Sequence, residues 1–248
     1  MKLLGIANTK TMKGEKYGYQ TYIMHLAPST LSGYQVCPMA SPGCAEACLN
    51  LSGMGRFSNV QAARIAKTRY FFEDRAAFMA QLVKEIGAAI RKSQKAGLKA
   101  VFRLNGTSDI RWEQYAVVKD GVEYRNVMEA FPTTQFYDYT KIPNRRDIPA
   151  NYHLTFSRSE VNEMQVLEVM RSGMNVAVVF DTIPDKWMGV KVVDGTETDL
   201  RFLDEDFVVV GLKANGKAKK DASGFVVSGA VSDLVSLTRA PQIWNAAA

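Results

Sequence analysis

Five short apolar runs, each followed by a polar cluster and separated from the next by helical or loop sequence, constrain the fold of this chain more than any other feature. They are residues 100–104, 134–139, 152–156, 175–180 and 207–212. Each has the length of a buried strand, and their alternation with helical sequence is the pattern of βα units and a parallel sheet. Parallel strands place their carboxyl ends together, so the clusters that follow are expected on one rim. These clusters are 105–109, 138–141, 157–160, 181–182 and Lys213. An earlier alternating stretch, 17–27, reads as a further strand that ends at Pro28-Ser29.

The spacing predicts three clear helices. One is capped by Ser58 and runs through Val60, Ala63, Ile65 and Tyr70 to Phe72. A second begins near Asp74 and stops at Ala96-Gly97. A third spans 159–171, with an apolar face of Val161, Met164, Leu167 and Met170 widened by Val166 and Val169, and Gly173 closes it. Asp194-Gly195, between 190–193 and 198–202, reads as the turn of a small hairpin inserted before the last core strand. The expected fold is therefore α/β, a partial or complete parallel (β/α) barrel. Residues 1–245 form a single domain carrying a cysteine loop at 35–50 and the hairpin insertion at about 189–206. With 248 residues, 47% of them hydrophobic, the chain can bury a substantial core.

All the cysteines lie in that loop. Cys37, Cys44 and Cys48 fall within twelve residues, and Pro38, Pro42 and Gly43 force a turn between the first two. Ala45-Glu46-Ala47 favours a helical turn that would set Cys44 and Cys48 on one face, so that three sulfurs converge. Three thiolates are one short of a closed zinc site, whereas a 4Fe-4S cluster held by three cysteines keeps one iron open. Zinc with His25 or His153 as the fourth ligand is an alternative reading, and buried thiols acting as small hydrophobes are another. A disulfide framework is disfavoured by the odd count and by the lack of a full signal peptide, which points to a cytoplasmic chain. No eighteen-residue apolar run is present, so no membrane span is expected.

The formal net charge of +6 permits an anionic partner without requiring one. Lys213, Lys217, Lys219 and Lys220 form the densest basic patch, which reads first as a solvated turn and second as a phosphate contact.

The run Cys37-Pro38-Met39-Ala40-Ser41-Pro42-Gly43-Cys44-Ala45-Glu46-Ala47-Cys48-Leu49, with 103–110, 136–141 and 154–157 downstream, resembles a phage-encoded family called gene product eighty-eight over most of residues 17–215. The resemblance implies a bacteriophage origin and a three-cysteine site. The architecture is also similar to radical S-adenosylmethionine enzymes, whose three early-loop cysteines bind a 4Fe-4S cluster with an open iron that chelates the methionine moiety. Their usual spacing is C-x3-C-x2-C, whereas this chain has C-x6-C-x3-C and no Gly-Gly-Glu after a second strand.

On the expected rim, Asp109, Asp138 and Asp181 can bind an amine, a ribose or a metal, and Arg103, Lys141, Arg158 and Lys213 can hold a carboxylate or phosphate. Asp109, Asp138 and Arg158 are the candidates for a small-molecule cofactor such as S-adenosylmethionine, with mutual neutralisation and helix capping as the alternative. Three functions remain open at this point. They are a radical-type enzyme, a non-catalytic or electron-transfer iron-sulfur protein, and a nucleic-acid-associated phage protein whose metal staples the loop.

Overall fold

The computed structural model describes residues 1–6 and 12–230. Its elements in chain order are β1 (Leu4–Gly5), β2 (Tyr19–Met24), α1 (Pro42–Glu46), α2 (Ser58–Glu73), α3 (Arg75–Lys95), β3 (Lys99–Arg103), β4 (Val117–Lys119), β5 (Val122–Tyr124) and α4 (Val127–Ala130). There follow β6 (Gln135–Thr140), β7 (Tyr152–Ser157), α5 (Glu163–Arg171), β8 (Val176–Phe180), β9 (Lys186–Trp187), β10 (Val190–Asp194) and β11 (Val209–Lys213). A nine-stranded sheet has the order β1-β2-β3-β6-β7-β8-β11-β10-β9, and β4 and β5 pair separately. Every neighbouring pair from β2 to β10 is parallel, and only the short edge strands β1 and β9 run antiparallel.

The parallel core is the one that the apolar runs foretell, and it puts the carboxyl ends of β2, β3, β6, β7, β8 and β11 along one edge. The sheet does not close. β11 lies between β8 and β10, and β9 folds back antiparallel on β10, so no parallel edge is left to meet β1. The expectation of a complete barrel is corrected by that hairpin: the architecture is α/β with a large, open, mostly parallel sheet.

Alternate residues of each strand serve opposite faces. Tyr22, Met24, Phe102, Leu104 and Phe136 join Phe71, Phe78, Leu82 and Ile86 of α2 and α3 in the main core. Val101 and Tyr137 face the other way, under Leu200 and Phe202. A second core, built on Phe156, Val176, Val178 and Val209, packs under Val166, Val169 and Met170 of α5.

The helices depart from expectation at their starts. Asp74 does cap α3, accepting from the Ala77 amide, and Gly97 beyond its end takes φ +71°. Ser58, however, is the first residue of α2, and Phe57 is its cap. The third helix starts four residues later than expected, because Asn162 folds 159–162 into a turn: its Oδ1 accepts from the Ser159 amide and its Nδ2 donates to the Ser157 carbonyl. That turn leaves Val161 and Met164 exposed, and Val166, Val169 and Met170 become the buried face.

The hairpin is also displaced. Its turn is Met188-Gly189, both left-handed at φ +50° and +81°, between antiparallel β9 and β10. Gly195 lies instead against β11, where a Cβ would sit 2.5 Å from Val210 Cγ1, so Asp194-Gly195 ends a sheet strand. No helix among the described residues is long and apolar enough to cross a membrane.

Candidate functional site

The cysteine loop leaves the carboxyl end of β2 and is pinned to the loop after β3. The Gly106 amide donates to the Met24 carbonyl, Thr107 Oγ1 donates to the Leu26 carbonyl, and the Asp109 amide donates to the Val36 carbonyl at 2.7 Å. Gly106 must be glycine for this approach, since a Cβ there would lie 2.7 Å from the Met24 carbonyl oxygen. Asn105 holds its own loop in shape. Its Oδ1 accepts from Ser108 Oγ, the Ile110 amide and Trp112 Nε1, and its Nδ2 donates to the Ile110 carbonyl.

Short helix α1 carries Cys44 and is held from a different strand. Ser41 Oγ accepts from the Cys44 amide and donates to Glu160 Oε2 at 2.7 Å, and the Gly43 amide donates to Glu160 Oε1 at 2.7 Å. A Cβ on Gly43 would stand 2.2 Å from Ser223 Oγ and 2.8 Å from Phe225 Cβ, so the 221–229 segment lies directly against this helix. That segment is fixed in turn by Arg158, which donates to the Gly224 and Phe225 carbonyls, and by Val227, whose amide donates to the Val179 carbonyl.

The three thiols are half-buried and free. Cys37 Sγ accepts from the Ser29 amide at 3.4 Å and donates to the Thr107 carbonyl at 3.7 Å. Burial pushes the Cys37 thiol up to about 12 against the pull of the Ser29 amide, with Cys48, Asp109 and Cys44 adding to the rise. Burial also raises Cys48, opposed by the Asn50 amide and by the cations Arg64 and Lys141. The sulfurs thus stand within electrostatic range of one another.

They are not gathered as ligands: among the described residues no group of three His, Cys, Asp or Glu side chains is placed to hold a metal ion. α1 ends at Glu46, and the turn runs on for two more residues, with the Ala47 amide donating to the Gly43 carbonyl and the Cys48 amide to the Ala45 carbonyl, before the chain leaves it at Cys48 with ψ +135°. His25, just beyond β2, has its basicity lowered to about 3 by burial and then by Arg64, Arg103 and Lys67, so it is a neutral imidazole at physiological pH. His153 opens β7 at the opposite edge of the sheet, away from the cysteine loop.

Of the expected rim residues, Asp109 and Lys141 meet beside the loop. The Lys141 amide donates to Asp109 Oδ2 at 2.7 Å, and Lys141 Nζ donates to Ser157 Oγ at 2.6 Å. Burial raises Asp109, with the Lys141 amide and Arg145 opposing. Arg158 sits nearby under the 221–229 segment, with its Nε buried and unpartnered. Asp181 accepts from the Gly229 amide, and Lys213 is exposed at the end of β11.

Asp138 is placed differently. It lies within β6, wholly buried, with Oδ1 accepting from the Asn105 amide and Oδ2 from the Leu104 amide and Tyr152 hydroxyl. Its carboxylate shapes the loop that carries Asp109 and does not face the rim. Arg103 likewise turns under the sheet, where it pairs with Asp199. Sequence reasoning missed Glu160 as the tether of α1 and Asn105 as the organiser of its loop, and neither has a local pattern that names its partners. It also missed the β4–β5 hairpin, although Asp120-Gly121, at φ +51° and +78°, is an ordinary hairpin-turn pair.

The Gene product 88 family model matches residues 1–229. The chain belongs to this phage gene product family. No curated protein and no solved structure matches it. The match takes in the whole Gene product 88 sheet, the cysteine loop and the 221–229 segment over α1.

Proposed function

We propose that this Gene product 88 protein is an iron-sulfur protein in which Cys37, Cys44 and Cys48 hold a 4Fe-4S cluster with one open iron. The observation that carries the reading is positional. All three thiols lie in the loop after β2, the first strand of the parallel array, at the edge where every later parallel strand also ends. The donor chemistry fits. Three cysteines match the protein ligands of a cluster with an open site, an amide already points at Cys37 Sγ, and Arg64 and Lys141 near Cys48 would offset thiolate charge. A reducing compartment such as the host cytoplasm suits three free thiols.

When bound, such a cluster supplies electron transfer or Lewis-acid activation of a small ligand at the open iron. The protein's own part is to hold the cysteine segments, whose sulfurs would draw together on the cluster: Ser29 and Thr107 hold Cys37, and Ser41 and Glu160 hold the helix of Cys44. Asp109, Lys141 and Arg158 border the loop and would orient a zwitterionic small molecule, for which S-adenosylmethionine is the proposed probe.

The test is anaerobic preparation followed by iron and sulfide analysis. The reading expects a brown protein with broad absorption near ~400 nm that bleaches on reduction, and loss of most iron in each of Cys37→Ala, Cys44→Ala and Cys48→Ala. Stoichiometric zinc without iron after reconstitution would falsify it. If iron is present, an electron paramagnetic resonance spectrum of the reduced state that excess S-adenosylmethionine leaves unchanged would assign the protein to the non-catalytic or electron-transfer class.

A further inference from the structure

The basic patch of the last strand does not stand alone. The three-ten turn Gly216–Lys220 packs on the segment just after the cysteines, where a Cβ on Gly216 would sit 3.0 Å from Ser52 Cβ. The turn that carries exposed Lys217, Lys219 and Lys220 thereby joins a segment with side chains that a folded domain ordinarily covers: Leu49 is 63% exposed, Met54 70% and Phe57 45%. The Arg56 guanidinium lies 5.6 Å from the centroid of the Phe57 ring. None of Arg56, Lys213, Lys217, Lys219 and Lys220 forms an ion pair among the described residues. Asp221, which follows the turn, has its carboxylate taken by Ser223 and by the Val226 amide.

We propose that this surface binds single-stranded nucleic acid, with the lysines and Arg56 on phosphates and Phe57 stacked on a base. Uncompensated cations give affinity for a phosphodiester backbone, and an exposed ring gives a platform that any unpaired base can use. An apolar centre ringed by charge would suit a folded protein partner. Here the charged side chains set with Met54 and Phe57, Arg56 and the lysines of the turn, are all cations, which suits a polyanion. The net charge of +6 has the sign that draws a polyanion in. The proposal is independent of the metal reading, because none of these residues is a proposed ligand.

The test is fluorescence anisotropy of a labelled oligothymidylate titrated with the full chain over a range of salt concentrations. Lys217→Glu, Lys219→Glu and Lys220→Glu combined should weaken binding at least about tenfold and reduce the salt slope by about two, the loss of three phosphate contacts. Phe57→Ala should weaken binding about fivefold or more and leave the slope alone. Lys84→Glu with Lys92→Glu on the remote helix α3 should change little. Absence of binding at low salt, a triple variant that binds like the parent, or an unaffected Phe57→Ala would each overturn the proposal. So would stronger binding to polyglutamate or to anionic phospholipid vesicles than to the oligonucleotide, which would assign the surface to an acidic protein or a membrane.

Discussion

Asp138 is a carboxylate whose surroundings both need it and resist its charge. It accepts three hydrogen bonds, yet burial pushes it up to about 7, against the pull of Arg103 and of the Asn105 amide. An acid raised on folding contributes stability that is complete below its unfolded value of about 4 and is lost as pH rises through its folded value. In Asp138→Asn one oxygen becomes a donor facing donors, which should cost about 1–3 kcal/mol for each amide left unpaired. The variant no longer ionises there. Its deficit against the parent should therefore shrink as thermal melts move from about pH 5 to about pH 8, and a deficit that stays constant or widens would show that Asp138 is charged throughout. Gly106 is a second demanding residue: Gly106→Ala drives a Cβ onto the Met24 carbonyl and Ile23, so calorimetry should show a loss of about 1–3 kcal/mol.

At the level of elements, what the sequence discloses is what local pattern controls. The strands at 99–103, 135–140, 152–157, 176–180 and 209–213 fall within two residues of their apolar runs, because a strand buried on both faces must be apolar throughout. α3 is legible for the same reason, with Asp74 before it and Gly97 after it. Asp74→Ala should cost about 1 kcal/mol in chemical denaturation, the worth of one capping side chain, and no loss would mean that the Ala77 amide finds water as readily. The start of α5 and the sheet partner of β10 were not legible, although the helix and the strand themselves were. The Asn162 turn sets the rotation of α5, and the approach of Gly195 to β11 makes 190–194 a sheet strand. The site divides in the same way. The cysteines are visible in the sequence, whereas Glu160, more than a hundred positions away, is not. Glu160→Gln puts an amide in place of one of the two oxygens that receive Ser41 and Gly43, so α1 should loosen and Cys44 should react faster with a disulfide reagent than in the parent. An unchanged rate would mean that the 221–229 segment holds the helix by packing alone.

For the whole molecule, the question is whether the fold depends on the metal that the cysteines are proposed to hold. Small zinc-stapled domains do depend on theirs, since the metal replaces a core they lack. This chain has the core already. Aromatic and aliphatic side chains from β2, β3, β6, α2 and α3 form one continuous cluster, and a second lies under α5. Of the cysteines, only Cys37 touches either cluster, and it does so from the edge. The loop itself is tied to the sheet through Gly106, Thr107, Asp109 and Glu160 by bonds that involve no sulfur. Protein stripped of metal with a chelator under reducing conditions should therefore keep its far-ultraviolet circular dichroism and melt in one cooperative step. Cys44→Ser and Cys48→Ser should shift that metal-free melt by no more than about 2–4 °C, the equivalent of about 1 kcal/mol in a domain of this size. Collapse of the melt on metal removal would show that the centre staples the fold.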